Sequence, residues 1–213
     1  MKLAEDQVGE PMSQTARRGG AAVIAIVAAV TLAMRLYLRL QQSDGMLDAL
    51  SYMSQYFTLL TNFITLLMML WIALGRDLSE RLIKAVTIAI VGVGLIYHAL
   101  LAHLVTLSGI DLWADHGTHT FVPLLTGLWW VFLAPRPALR WGDIPMWIAW
   151  PIVYCVYILI RARFSGFYPY PFLNVPVIGW AGLIGAVAGL VLGFVAIGLS
   201  LTGLSRFAPS RDR

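Results

Sequence analysis

The chain has 213 residues, of which 59% are hydrophobic and 12% are charged, and its mean hydropathy is +0.77. Soluble domains are about 45–50% apolar and about 25% charged, so this chain has too little charge to cover a water-facing surface. The composition argues against a soluble globule, a disordered chain and a nucleic-acid-binding module. The single cysteine, Cys155, excludes an internal disulfide framework and a multi-cysteine metal site.

Six apolar stretches are long enough to cross the hydrocarbon core of a bilayer, which needs roughly 20 residues of helix. The connecting segments between them are short, so the sequence predicts an all-α protein, an integral membrane bundle of six transmembrane helices. The predicted domains are an N-terminal tail (1–19), a six-helix domain (20–204) and a C-terminal tail (205–213). The spans are predicted at about residues 20–40, 54–74, 85–107, 118–133, 144–160 and 177–204.

The first apolar stretch is predicted to be a retained helix rather than a cleaved signal peptide. Its polar leader is about twenty residues long, Arg35 interrupts its end, and no clean cleavage site precedes that arginine.

The lysines and arginines predict the orientation of the bundle. One side carries only Arg39, Arg161 and Arg163, with Arg35 near a helix end, whereas the other side carries eleven of the fifteen basic residues. Because basic residues concentrate in cytoplasmic loops, both termini are predicted to be cytoplasmic. The net charge of +4 and the pI of 9.5 are therefore interpreted as a signal of topology. The eleven are Lys2, Arg17, Arg18, Arg76, Arg81, Lys84, Arg136, Arg140, Arg206, Arg211 and Arg213.

In this orientation the scarce polar residues of the spans collect toward the outer leaflet. Ionisable residues within a membrane are costly and usually face a bundle interior or a wet cavity. We therefore predict one polar pocket that opens outward or to the outer leaflet. Its candidate members are Arg35, Thr58, Asn62, His98, His103, His116, His119, Arg161, Tyr170 and Asn174.

Helical spacing places some of these residues on common faces. Thr58, Thr61, Asn62 and Thr65 are three to four residues apart and form one stripe. Threonine hydroxyls in membrane helices often bond to the carbonyl four residues earlier, which is the structural interpretation of this stripe. The last helix has Gly185, Gly189 and Gly193 at four-residue spacing, which predicts close helix packing within the chain, with a dimer face as the alternative.

Three segments carry a resemblance to known families. They are Tyr56-Phe57-Thr58-Leu59-Leu60-Thr61-Asn62, His116-Gly117-Thr118-His119-Thr120 with Pro123 following, and Tyr168-Pro169-Tyr170-Pro171-Phe172-Leu173. The chain resembles the bacterial Pr-six-Pr family of small six-helix membrane proteins. It resembles more distantly the androgen-induced (FAR-17a/AIG1-like) membrane threonine hydrolases of animals.

The resemblance implies a function, a location and two catalytic residues. The animal members cleave fatty acid esters of hydroxy fatty acids with a membrane threonine and a histidine, which correspond here to Thr58 and His119. The animal proteins tend to carry an acidic or amide residue three positions after the threonine, whereas this chain has Thr61 there and Asn62 next to it. The resemblance thus implies that the protein is a lipid ester hydrolase. It also implies a multi-pass protein of the bacterial cytoplasmic (inner) membrane.

The hypothesis is that Thr58 is the nucleophile and His119 the general base in a pocket facing the outer leaflet. A threonine hydroxyl needs a base within about 3 Å, and neutral imidazole suits that role because its usual pKa is near 6.5. The expected partners are membrane lipids and a fatty-acyl ester substrate. For the developing oxyanion we expect a donor in Asn62 or Gly117, and for a lipid anion a site at Arg35 or Arg161. Asp111 or Asp115 is expected to orient a histidine. Further substrate contacts are expected from His98, His103, His116, Tyr170 and Asn174.

Two alternatives stay open at this point. The histidines and aspartates of the outer level suit a metal site, with His116 and His119 sharing a helix face, although no compact ligand motif accompanies them. A non-enzymatic membrane protein that binds lipids or transports small molecules is the other alternative. The expectation is no metal, no organic cofactor and no nucleic-acid partner, and the sequence does not fix the oligomeric state.

Overall fold

A computed structural model describes residues 11–134 and 139–205, and these residues form helices without a β-strand. The predicted all-α class is therefore confirmed. Residues 1–10 and 206–213, which hold most of both predicted tails, lie outside the described residues, as does Arg136. The helices are α1 (Pro11–Leu40), α2 (Met46–Met53), α3 (Phe57–Ala73), α4 (Glu80–Ile96), α5 (Gly109–His116), α6 (Val122–Leu133), α7 (Ile144–Ser165) and α8 (Val175–Ser205).

Four helical segments of the described chain are long and apolar enough to cross a membrane: Gln14–Leu40, Glu80–Leu104, Trp141–Ser165 and Val175–Leu204. The pair α2 and α3 adds a fifth if the two helices form one broken span. The chain is therefore a multi-pass membrane protein. The count of six spans and the cytoplasmic location of the termini stay predictions.

Helix α1 begins earlier than the apolar run. The sequence predicts a helix from about Gly20, whereas α1 starts at Pro11 and includes nine residues of the predicted tail. Proline is favoured at the first position of a helix because its missing amide hydrogen has no partner there anyway. Ala16, Arg17 and Arg18 are good helix formers and carry the helix into the apolar stretch.

The predicted second span, residues 54–74, corresponds to α3, and the short helix α2 precedes it at a sharp bend. Helices α2 and α3 meet at 99°, and Tyr56 has the extended backbone of a residue that precedes a helix. The Tyr154 hydroxyl donates to the Gln55 carbonyl at 2.6 Å and ties the bend to α7. Thr58 is the second residue of α3 and lies in the first turn of this helix, as the predicted start of the span near residue 54 implies.

Two π-helical turns, Tyr97–Leu101 after α4 and Gly117–Phe121 between α5 and α6, bring polar residues together. Pro123 lacks an amide hydrogen and leaves the carbonyl of His119 without its usual helical donor, which explains an irregular turn here. Helix α4 approaches this turn closely, since a Cβ atom at Gly94 would lie 3.0 Å from the His119 carbonyl oxygen.

At the other end of the bundle Lys84 is buried, with 1% of its surface exposed. The sequence analysis assigned this lysine to a connecting segment, and that assignment is wrong because Lys84 is the fifth residue of α4. Its Nζ donates to the Thr202 hydroxyl at 2.7 Å and lies 4.5 Å from the centre of the Trp147 ring. A hydrogen bond and a cation–π contact compensate the buried charge.

The glycine stripe of α8 does not pack within the chain as predicted. A Cβ atom at Gly185, Gly189 or Gly193 would meet nothing within 4 Å. Close approach occurs instead at Gly198, where a Cβ atom would clash with the Trp147 ring and lie 3.0 Å from Ile88. Four-residue spacing identifies small residues on one face, but it does not show which face meets a neighbour.

The substitutions Gly198→Ala and Gly189→Ala form a matched pair within α8. The added methyl group at residue 198 meets the rigid Trp147 ring, which is 1% exposed, whereas residue 189 has open space around it. Relative to Gly189→Ala, we expect Gly198→Ala to lower the free energy of unfolding by about 1–3 kcal/mol. Thermal unfolding in detergent checks this, and equal stability of the two variants would contradict the packing described for α8.

Candidate active site

A cleft opens at the end of the bundle where α1 ends and α3 begins. It encloses about 1370 Å³ of empty space, counting the part that is open to the surroundings. Its walls come from α1, the α2–α3 bend, the turn after α4, α5 with the following π turn, and the Tyr-Pro-Phe-Leu segment. The polar side chains that line it are Arg35, Arg39, Gln42, Tyr52, Tyr56, Thr58, Tyr97, Asp111, Asp115, Thr118, His119 and Tyr170.

Asp115 is the centre of the polar contacts in this cleft. One carboxylate oxygen accepts a hydrogen bond from Arg35 at 2.8 Å and lies 3.0 Å from Nδ1 of His119. The other oxygen accepts from the Tyr97 hydroxyl at 2.6 Å. These partners lie on α1 and on the two π turns, so this carboxylate of α5 joins three other segments of the chain.

Asp115 is held in its ionised form by these partners. Burial alone raises the pKa of this carboxyl group, but the hydrogen bonds from His119 and Tyr97 and the positive charge of Arg35 outweigh it. Together they lower the pKa of Asp115 to about 2. A carboxylate that accepts several hydrogen bonds is expected to behave in this way.

The imidazole of His119 is fixed on two sides. Its Nδ1 faces Asp115, and its ring stacks on the Tyr97 ring with the centroids 3.6 Å apart. The side chain is 12% exposed. Among the described residues no hydrogen bond occupies Nε2, so this nitrogen is available to act on a ligand. The carboxylate-to-Nδ1 contact is the arrangement that orients a histidine as a general base.

Thr58 lies where the cleft meets a second, apolar pocket, whose empty space is about 450 Å³ when the part open to the surroundings is counted. Thr58, Leu101 and Tyr170 line both cavities. The buried Tyr170 side chain lies against Thr58 and the start of α3. The second pocket is lined otherwise by apolar and aromatic groups, among them Val93, Ile96, Pro151, Phe172, Leu190 and Phe194.

Asn62 is buried next to the cleft and does not line it. It is fully buried, and its amide nitrogen donates to the carbonyls of Thr58 at 2.8 Å and Thr118 at 3.1 Å. Both of its donor hydrogens are thereby occupied. Asn62 thus joins the first turn of α3 to the π turn that carries His119, which is a positioning role rather than the expected oxyanion contact.

Both arginines expected to bind a lipid anion have partners within the chain. Arg35 is paired with Asp115, as described above. Arg161 donates to the hydroxyl and carbonyl oxygens of Ser51 at 2.8 and 3.0 Å, so it holds α2 against α7. Arg161 does not line the cleft.

The remaining candidates lie away from the cleft. His98 is exposed and contacts the Thr120 hydroxyl at 3.0 Å, His103 is exposed, and His116 packs near the ring of Phe121. Asn174 follows the Tyr-Pro-Phe-Leu segment, and its carbonyl accepts from two amides at the start of α8. Of the four histidines, only His119 lines the cleft.

The metal alternative finds no support in the part of the chain that the structure describes. Within residues 11–134 and 139–205 no group of three or more histidine, cysteine or acidic side chains is arranged to hold a metal ion. His116 ends α5 and His119 lies in the π turn that follows, where it is engaged by Asp115.

Two residues of the cleft have roles that the sequence analysis did not assign. Tyr97 binds Asp115 and stacks on His119, and Arg39 lines the outer part of the cleft. Arg39 was used only as a marker of topology. Its position one helical turn after Arg35 is the sequence signal for a shared face.

Comparison with known proteins supports the resemblance to the FAR-17a/AIG1-like family. The model of the FAR-17a/AIG1-like protein family matches residues 86–206, which is more than half of the chain. No curated protein and no solved structure matches the chain. The matched segment contains Asp115, His119 and Tyr170 but starts after Thr58, and membership of the Pr-six-Pr family stays a prediction. This multi-pass membrane protein belongs to the FAR-17a/AIG1-like family.

Proposed function

We propose that this protein is a membrane-embedded lipid ester hydrolase with Thr58 as nucleophile and His119 as general base. The observation that carries the proposal is the position of Thr58. It lies at the junction of the apolar pocket with the cleft that holds the Asp115–His119 pair. An ester with one long apolar half and one polar half fits such a junction, because each half meets matching surroundings.

The first half of the proposed reaction transfers the acyl group to Thr58. The Thr58 hydroxyl attacks the ester carbonyl carbon, and its proton passes to Nε2 of His119. The imidazolium then returns that proton to the alcohol oxygen as the ester C–O bond breaks. The ionised Asp115 stabilises the positive charge that His119 carries between these steps.

The second half releases the fatty acid. Water attacks the acyl–Thr58 ester while His119 accepts its proton, and the proton then returns to the Thr58 oxygen. The acyl chain occupies the apolar pocket throughout, between Pro151, Phe172 and Phe194. The negative charge that develops on the carbonyl oxygen needs donors, and we assign this role to the Tyr170 hydroxyl and the free amides in the first turn of α3.

Replacement of Thr58 tests the nucleophile. Thr58→Val keeps the branched shape and removes the hydroxyl, whereas Thr58→Ser keeps a hydroxyl at the same position. We expect Thr58→Val to lower kcat for a long-chain ester by a factor on the order of 10³ or more and Thr58→Ser to retain measurable turnover. Ester hydrolysis by purified protein in detergent micelles measures both. Full turnover by correctly folded Thr58→Val contradicts the proposal and favours a lipid-binding protein.

Replacement of Asp115 tests the orientation of His119. Asp115→Asn removes the negative charge that faces Nδ1, and we expect kcat to fall by a factor of roughly 10² or more. Because the same change leaves Arg35 without its counter-ion, stability is measured in parallel. The double variant Arg35→Gln/Asp115→Asn removes both charges and is expected to regain stability without regaining kcat. Recovery of kcat in the double variant would show that Asp115 acts on stability alone.

A further inference from the structure

Two opposite charges line the outer part of the cleft without pairing with each other. Helices α1 and α5 run antiparallel here, because Thr31 lies against Gly117 and Arg35 binds Asp115. One further turn outward on each helix leads to Arg39 on α1 and Asp111 on α5. Both residues line the cleft, yet no ion pair within 4.0 Å joins them among the described residues.

Arg39 has hydrogen-bond donors that its partners within the described chain do not use. Its guanidinium lies over the Tyr52 ring at 3.6 Å, which fixes the plane of the group. Its one ion pair in the described chain is with Asp48 at 3.5 Å, a residue whose side chain is 51% exposed. A guanidinium carries five N–H donors, and a pair with an exposed carboxylate is worth little, so Arg39 can bind a second anion.

Asp111 is the matching negative charge. It lies in the first turn of α5, is half-buried, and has no ion pair in the described part of the chain. Asp115, the other carboxylate of the cleft, is already engaged by Arg35, Tyr97 and His119. Asp111 is therefore the carboxylate of the cleft that is available to a cationic group.

We propose that the outer part of the cleft binds a zwitterionic head group, with its phosphate at Arg39 and its ammonium group at Asp111. The inference rests on the proposed hydrolase function and names the alcohol half of its substrate, a zwitterionic glycerophospholipid. An anion alone would be attracted by Arg39 and repelled by Asp111. A cation alone would be attracted by Asp111 and repelled by Arg39. A ligand that carries both charges satisfies both residues.

The position of this pair suits the reaction. Residues four apart on a helix are separated by about 6 Å along its axis, so Arg39 and Asp111 lie one turn outward from the Arg35–Asp115 pair. The acyl chain extends from Thr58 into the apolar pocket, and the alcohol half extends the other way along the polar cleft. The head group then meets the two charges beyond the scissile bond.

Four dodecanoyl esters separate the two charges experimentally. They are monododecanoylglycerol, which is uncharged, dodecanoyl lysophosphatidic acid, which adds a phosphate, dodecanoylcholine, which adds an ammonium group, and dodecanoyl lysophosphatidylcholine, which has both. For the unmodified protein we expect the highest kcat/KM with lysophosphatidylcholine. A kcat/KM that is highest for the uncharged ester would overturn the proposal.

Single substitutions assign each charge to its residue. We expect Arg39→Gln to lower the ratio of kcat/KM for lysophosphatidylcholine to kcat/KM for dodecanoylcholine by about tenfold. We expect Asp111→Asn to lower the ratio for lysophosphatidylcholine to lysophosphatidic acid by a similar factor. Arg163→Gln and Asp44→Asn, exposed residues that do not line the cleft, serve as matched controls and should leave both ratios unchanged. Ratios that stay constant in both test variants would overturn the head-group assignment.

A binding experiment separates this inference from the hydrolase proposal. Thr58→Ala protein in maltoside micelles is titrated with radiolabelled lysophosphatidylcholine and, in parallel, with monododecanoylglycerol. Preferential binding of lysophosphatidylcholine that is lost in Arg39→Gln and in Asp111→Asn supports the head-group site even if Thr58→Ala retains full turnover. Equal binding of the two lipids overturns the site whatever happens to hydrolysis.

Discussion

The Asp115 carboxylate is the interaction on which the cleft depends. A buried carboxylate is stable only when its charge is compensated, and here three donors from three parts of the chain do so. Arg35 comes from α1, Tyr97 from the turn after α4, and His119 from the turn between α5 and α6. The electrostatic requirement of one side chain therefore fixes the position of the proposed base and draws α1 and α4 toward it.

The cleft and the apolar pocket divide the polar and apolar parts of a ligand. The α2–α3 bend places Thr58 in the first turn of α3. There Thr58 lines both cavities, as do Leu101 and Tyr170. A straight span would place Thr58 within a helix whose amides are all bonded. Because the helix begins at Phe57, free backbone donors and the Tyr170 hydroxyl lie beside the threonine, as a developing oxyanion requires.

Periodicity and composition were enough to predict the helical class and the multi-pass membrane character. The four-residue spacing of Asp115 and His119 is readable in the sequence and favours Asp115 over Asp111 as the orienting carboxylate. The contact of Arg35 with Asp115 spans eighty residues, so no local pattern contains it. The burial of Lys84 depends on Trp147 and Thr202, which come from two distant helices, and the counting of basic residues therefore misassigned it.

The proposed mechanism requires that an acyl group is transferred to Thr58, and trapping this acyl–enzyme intermediate detects the transfer. Protein that is turning over a long-chain ester is quenched in acid, digested, and analysed by mass spectrometry. The account predicts one acyl group on the peptide that contains Thr58, with a smaller yield from His119→Ala protein under the same conditions. Efficient hydrolysis with the acyl group on another residue, or with no acylated peptide at any quench time, would contradict it.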